Sequence, residues 1–503
     1  MREARTGYDT RTGRWFARVE SFRGESGQQF AAWVYFSVTK PPTLKSLHMM
    51  HPLRVLCWSL VFTTAARADP PPDISGVPVT IRNAPTARRL GDKLHDLPSV
   101  LDYGAVCDGT VLRWTVVGIA AGSTHLTVVN GWFESKDAGK LIVVAGAGGA
   151  GANLATKIAS VQSKSQVTLV SPAQSSVDTH QGYIAYGTDD SPALNAIFAA
   201  RSIPRWALGE LRLPQGVCGV GSTILLPGGR DAGNFGAGQV TLRGGGRGVS
   251  WLVALAPMRA VIQEPAGEHN QANLLDFGID GSGLADFGAD IQGGRSGHHS
   301  GLYYNDNRIA GLHLGTVSVN PDGTLTNPNS WYTNIWEFMV DHSTIRADTE
   351  SVMPHGGPLF GILNSAGDSH FSDLVVANAS VANIRDTGHA HNFYTAVHAW
   401  GSPRYEFWVR GGVQFTNCEA DGATEAAVRV DADGLVWAGG DMVSMSKGKP
   451  AGFYFPSSSG HHSIFGPLIQ DIPSSAYVSL GSGVALSDSI IQIPGLSGPR
   501  AEK

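Results

Sequence analysis

The chain has 503 residues, of which only 16% are charged, and 42 acidic against 37 basic side chains leave a net charge of −5. That balance excludes both a disordered, highly charged chain and a basic nucleic-acid surface. With 63 glycines and short, scattered apolar runs, the composition predicts a β-rich body with many tight turns, built as two or three domains or as one long solenoid.

In chain order, Met49-Met50-His51-Pro52-Leu53-Arg54 precedes the apolar run Val55–Phe62, and Ala66-Arg67-Ala68 supplies a small-x-small cleavage site. Residues 49–68 therefore read as a secretory signal peptide, too short to span a bilayer. Residues 1–48 are then expected to be a non-native or disordered extension, with translation starting at Met49 or Met50. Residues 69–98 are a Pro-rich linker. Export leaves Cys107, Cys218 and Cys418 in the mature chain, an odd count that permits one intramolecular bridge. Cys107 and Cys218 either form it or stay as free thiols.

Leu101-Asp102-Tyr103-Gly104-Ala105-Val106-Cys107-Asp108-Gly109-Thr110 forms one short motif, and Gly187-Thr188-Asp189-Asp190-Ser191-Pro192-Ala193-Leu194-Asn195-Ala196-Ile197 forms another. In the second, Thr188 is a helix N-cap candidate with Asp189 and Asp190 near the positive end of the helix dipole. Leu194, Ile197 and their neighbours then give one apolar helical face, as a short cap over the end of a solenoid requires. Between the two motifs, residues 111–186 carry strand-like runs at Leu126–Val129, Lys140–Val144, Lys157–Val161 and Gln166–Val170, which predict a small inserted β-domain. Gly146-Ala147-Gly148-Gly149-Ala150-Gly151 lacks the Lys-Ser/Thr of a phosphate loop and is not embedded in a βαβ pattern, so it is read as a turn.

Read together, the two motifs resemble the entry signature of pectate-lyase-like proteins. The resemblance implies an all-β fold: a right-handed single-stranded parallel β-helix over residues 99–110 and 187–495, with an N-terminal capping helix, the inserted β-domain, and a tail at 496–503. It also implies a polysaccharide partner and, from the tailspike members, a homotrimer. The Asn-Thr-Asp, Asp-Asp, Gly-His-Gly and Arg-Ile-Lys motifs of polygalacturonase-like hydrolases are missing, as is the Asp-Pro-His-Glu of mannuronan epimerases; Arg385-Asp386-Thr387-Gly388-His389-Ala390 is only a partial echo. No family residue can be assigned a catalytic role on this basis.

Within the winding region, four segments can be laid over one another: Leu275–Asp280, Trp336–Asp341, Ser372–Ala377 and Tyr405–Arg410. With Phe277/Ile279, Phe338/Val340, Leu374/Val376 and Phe407/Val409 inward, strand alternation sends Asp276, Glu337, Asp373 and Glu406 outward, and Asp280 and Asp341 two positions later. Stacked rungs lie about 4.8 Å apart, so such a column offers carboxyl pairs at the spacing of glycoside hydrolysis. The expected catalytic residues are thus Asp276, Glu337, Asp373, Glu406 and Asp341, although outward acids also solvate a sheet or bind Ca²⁺. No other cofactor, no metal site of the zinc type and no integral membrane span is expected. Tyr303, Tyr304, His389, His391 and Arg410 are the expected substrate-binding residues, because polar, aromatic loops on a rigid scaffold carry binding. The sequence reading is an exported, secreted or periplasmic, polysaccharide-degrading glycoside hydrolase. Its alternatives are a uronate lyase and a non-catalytic tailspike-like binding module.

Overall fold

In a computed structural model of the chain, residues 98–494 are described apart from 202–207, 227–238, 267–270, 321–322, 327–333, 348–351, 353–356, 389–390, 444–450, 458–459 and 487–488. Upstream, within the separate unit 1–91, strands Arg5–Asp9, Arg14–Arg18 and Trp33–Phe36 pair antiparallel in the segment expected to be an extension, and two-residue strands complete the described residues. The signal-peptide segment 49–68 lies outside the described residues.

From residue 208 the chain winds through three parallel sheets of 11, 10 and 10 strands, visiting each sheet once per rung. The first sheet runs from Leu208–Arg212 to Ile490–Gln492, the second from Gly216–Val220 to Leu468–Gln470, and the third from Ile224–Leu225 to Val478–Leu480. This is a parallel β-helix. The interior is a ladder of like side chains in register: Phe371, Tyr394, Phe415 and Trp437 stack on successive first-sheet rungs with ring centroids 4.5, 5.0 and 4.9 Å apart. Stacked rings of this kind bury large apolar areas and fix the register between rungs.

The corner between first and second sheets is a two-residue turn whose first residue is left-handed in rung after rung: Asp276, Gly301, His342, Asp373, Ala396, Asn417, Gly439 and Gly466 have φ between 47° and 69°. Asp, Asn and Gly tolerate this region best, which explains six of the eight. The residues that follow the first six of these, Phe277 to Cys418, all point inward and are buried.

The capping helix spans Ser191–Arg201 and buries Leu194, Ile197 and Phe198 against the first rungs. Its N-terminus is not capped by Thr188, which instead donates its N–H (3.0 Å) and hydroxyl (3.2 Å) to Asp108. Asp189 accepts the Ser191 N–H at 3.0 Å. Asp190 accepts the Val106 and Cys107 N–H groups at 2.6 and 3.1 Å. The acids of the split motif therefore tie its two halves together, and Cys107 and Cys218 are disulfide-bonded across the same junction. Cys418 is free and buried.

The insert is a closed six-stranded barrel bounded by Thr110–Ile119 and Val177–Gly187, with its own core around Val128, Phe133, Ile142 and Ile184. It leans on the outer face of the second sheet. Arg113 bridges Asp280 (2.6 Å) and Asp306 (2.8 Å), while Tyr183 donates to Asp280 at 3.0 Å.

Candidate active face on the second sheet

The four overlaid segments do not occupy one position of the rung. Asp276 and Asp373 share the corner column, but Gly301 and His342 stand between them. Glu337 sits in a different turn, the one leading into first-sheet strand Met339–Asp341, and accepts from Ser296 at 3.1 Å. Glu406 is inside third-sheet strand Tyr405–Val409 and fully buried, held by the Asn383 amide and the Ser402 N–H. The apolar partners were read correctly as inward. The acids were misplaced because a corner residue followed by a three-residue strand produces the same alternation as a longer strand. Burial pushes Glu406 up to about 8, so this acid is neutral at ordinary pH and serves as an internal hydrogen-bonding group.

Asp341 faces outward from the first sheet and is engaged by the Ser300 hydroxyl, His298 Nε2 (2.7 Å) and His342 Nδ1 (3.0 Å). Burial alone would raise it, but those hydrogen bonds prevail and hold it below the ordinary carboxylate range. Asp280 is buried in the barrel contact. Of the expected binding residues, Tyr303 is outward on the second sheet, edge-to-face with Trp251 and hydrogen-bonded by Arg346 at 2.6 Å. Tyr304 points into the core, fully buried against His299, and cannot meet a polymer; burial drives that imidazole down to about 3. His391 is exposed just before first-sheet strand Asn392–Thr395, Arg410 follows a third-sheet strand half-buried, and His389 lies outside the described residues. Tyr303, His391 and Arg410 thus lie at different sheets of the helix.

A stack of acids does exist, on the second sheet, at residues the sequence comparison missed. Strands His398–Trp400, Glu419–Asp421 and Asp441–Val443 pair in register, so His398, Glu419 and Asp441 stand in one outward column and Trp400 and Asp421 in the other. Ala399, Ala420 and Met442 are buried between them. His398 Nε2 lies 3.1 Å from Asp421 and 3.8 Å from Glu419. Partial burial, with added repulsion from Asp421 and Asp441 and an opposing pull from His398, raises Glu419 above its ordinary value. The face thus carries a carboxyl raised above its ordinary value in register with a second acid on the next rung, with the Trp400 indole in the adjoining outward column. His398, Glu419 and Asp421 also bring three ligand atoms within 4.8 Å of one another. A nitrogen-and-oxygen set of that kind suits a transition metal better than Ca²⁺, which prefers oxygen alone. The signal that could have found this site was the spacing His398-x-Trp400 and Glu419-x-Asp421 in equivalent places of neighbouring rungs.

The third sheet has a different outer face. On successive rungs Arg385, Trp408, Arg429 and Tyr454 stand in register. The Arg385 and Arg429 guanidinium groups lie 4.2 and 4.4 Å from the Trp408 ring, with Asp431 accepting from Trp408 Nε1 at 2.6 Å and Arg429 Nε at 2.8 Å. Three rungs before Trp408 in the same column, buried His313 donates its Nδ1–H to Asp290 on the rung before it at 2.8 Å and leaves Nε2 without a partner among the described residues.

No protein-family model and no curated protein matches the chain. Among solved structures, it is similar to the tailspike protein gp49 of Pseudomonas phage LKA1, at 11% identity over 76% of this chain and 62% of that one, with a TM-score of 0.32. It is similar to the A-module of the mannuronan C-5 epimerase AlgE4 of Azotobacter vinelandii, at 12% identity over 61% and 96% of the two chains, TM-score 0.36. A third is the catalytic unit of a GH87 alpha-1,3-glucanase from Streptomyces thermodiastaticus, at 10% identity over 76% and 97%, TM-score 0.30. The chain spans less than two thirds of the tailspike's length. By its own sheet topology this chain is a parallel β-helix.

Proposed function

We propose that this chain is an exported protein that acts on a polysaccharide, hydrolysing glycosidic bonds on the outer face of the second sheet. The observation that carries the reading is the register of Glu419 and Asp441 on neighbouring rungs. A rung step of about 4.8 Å is close to the roughly 5–5.5 Å between the carboxyl groups of a retaining glycosidase. Glu419, raised by burial and by its acidic neighbours, protonates the leaving oxygen. Asp441 attacks the anomeric carbon, and Glu419, now ionised, activates the water that releases the sugar. His398 and Asp421 hold the Glu419 side of the pair, and Trp400 offers a flat face for a neighbouring ring. Export is supported by the Cys107–Cys218 disulfide, a bond that persists in oxidising compartments. No described helix is long and apolar enough to cross a membrane.

A polysaccharide panel tests the reading: new reducing ends with retained anomeric configuration, and no ultraviolet-absorbing unsaturated sugar, are expected. Unsaturated products would instead favour β-elimination.

A further inference from the structure

The hydrolytic face holds a second arrangement, centred on His398. The ladder sets His398, Glu419 and Asp441 in one outward column, with Trp400 and Asp421 in the other. The Glu419 N–H donates to Val397 O at 2.9 Å and the Asp441 N–H to Cys418 O at 3.1 Å, and Ala399, Ala420 and Met442 are buried on the same strands. The backbone beneath the three side chains is therefore fixed on both its faces. His398 Nε2 lies 3.1 Å from Asp421 Oδ2 and 3.8 Å from Glu419 Oε1. Ligands about 2.0–2.1 Å from a tetrahedral zinc ion stand about 3.3–3.4 Å from one another. The two separations bracket that value, and one ligand atom from each of the three residues falls within 4.8 Å of the others. The side chains are 37%, 43% and 18% exposed for His398, Glu419 and Asp421, so an ion from solvent can reach them with water completing its shell.

Two features separate this cluster from acids that only solvate a sheet. Asp421 Oδ1 is buried and has no hydrogen-bond partner among the described residues, a state that calls for a water or an ion. Acids also crowd one imidazole. Among the described residues, the ion pairs of Glu419 and Asp421 are both with His398, the two carboxyl groups contact each other, and Asp441 adds repulsion from the next rung. A divalent cation answers both features. The imidazole nitrogen selects zinc, nickel or copper over magnesium and calcium, which prefer oxygen alone. We propose that His398, Glu419 and Asp421 bind one divalent transition-metal ion, and that the ion, by holding the Glu419 carboxylate, switches the hydrolytic pair off. The switch rests on the hydrolytic reading above; the binding site does not.

Calorimetric titration of the untagged, metal-stripped full chain with Zn²⁺, and with Ca²⁺ and Mg²⁺ as comparators, tests the site. Wild-type protein should bind Zn²⁺ at least tenfold more tightly than either comparator. His398→Ala and Asp421→Asn replace outward side chains and should keep the wild-type circular dichroism, yet each should lose one equivalent of Zn²⁺ or bind it at least tenfold more weakly. His298→Ala, which empties the separate imidazole–carboxylate contact at Asp341, should titrate as wild type. Electron paramagnetic resonance of the Cu²⁺-loaded chain should show a nitrogen ligand that His398→Ala removes. Zinc binding unchanged in both His398→Ala and Asp421→Asn, or absent in wild type, overturns the site. For the switch, one equivalent of Zn²⁺ should suppress reducing-end release by wild type at least tenfold, and EDTA should restore it. Full turnover of the zinc-loaded chain overturns the switch, and so does turnover that requires the ion. A chain that cleaves no glycan removes the switch together with the hydrolytic reading, while the titration still decides the site.

Discussion

Removing the Cys107–Cys218 bridge tests how the solenoid is closed at its start. The bridge joins residues 111 apart in sequence, and the loop contains the whole barrel and the capping helix. Treating the bridge as a restraint on the unfolded chain, a loop of that length corresponds to about 5 kcal/mol of stabilisation at 25 °C. Non-covalent links span the same junction: the Asp190 carboxylate on Val106 and Cys107, Asp108 on Thr188 and Lys140, and the Gly109 N–H on Val217 O at 2.9 Å. These keep the native geometry when the bridge is absent, so Cys107→Ala/Cys218→Ala should fold and lose stability without losing structure. In urea, followed by tryptophan fluorescence, a loss of about 5 kcal/mol at a slope of about 3–5 kcal/mol/M, as a unit of this size requires, moves the midpoint down by about 1–1.7 M. A smaller shift confined to an early phase would mark unfolding of the first rungs alone, as expected when a repeat array melts from an end. Wild-type protein treated with reductant should behave as the double variant does. An unchanged midpoint in the variant would refute the loop-entropy reasoning and leave the hydrogen bonds as the closure.

Further consequences follow from buried groups. Glu406, raised to about 8 from an ordinary 4.5, keeps its proton in the folded state where the unfolded chain has lost it. Stability is therefore full below about pH 4.5 and falls by about 5 kcal/mol as pH rises to about 8; denaturation midpoints across that range should show it, and Glu406→Gln should remove the slope. Phe415→Ala, cut from the middle of the aromatic stack, should cost about 3–5 kcal/mol and lower the thermal midpoint without altering isolated-barrel residues. Gly361→Ala would bring a methyl carbon to 2.2 Å from Val376 and 2.7 Å from Asn383 O, so a destabilisation of about 1–3 kcal/mol is expected in the same assay. Chelation with EDTA should leave turnover unchanged if Glu419 and Asp441 act as an acid–nucleophile pair, whereas loss restored by a divalent metal would assign His398, Glu419 and Asp421 to a cation.

The split motif made the architecture readable: its acids close the junction, its gap is a closed barrel, and the inward residues Phe277, Ile279, Phe338, Val340, Leu374 and Val376 are all buried. The site was less readable because alternation alone cannot separate a strand from a corner. Asp276 and Asp373 occupy a left-handed turn, while Glu406 lies where Tyr405–Val409 bends and places 406 and 407 both inside. Short three-residue strands joined by two-residue turns leave too little periodicity to fix which rung position an acid holds. Among the described residues, the register of Glu419 with Asp441 sets two outward acids on neighbouring rungs, and that register depends on loop lengths the residue pattern does not encode.

The central claim is most directly tested by reducing-end release from whichever polysaccharide the wild type cleaves, measured for Glu419→Gln and Asp441→Asn beside Asp276→Asn, Glu337→Gln and Asp373→Asn. The first two should lose at least a hundredfold in kcat, an order expected for removing an acid or a nucleophile, while folding as wild type, and the other three should turn over normally. Full activity in Glu419→Gln and Asp441→Asn, or its loss in the corner variants instead, would contradict the account.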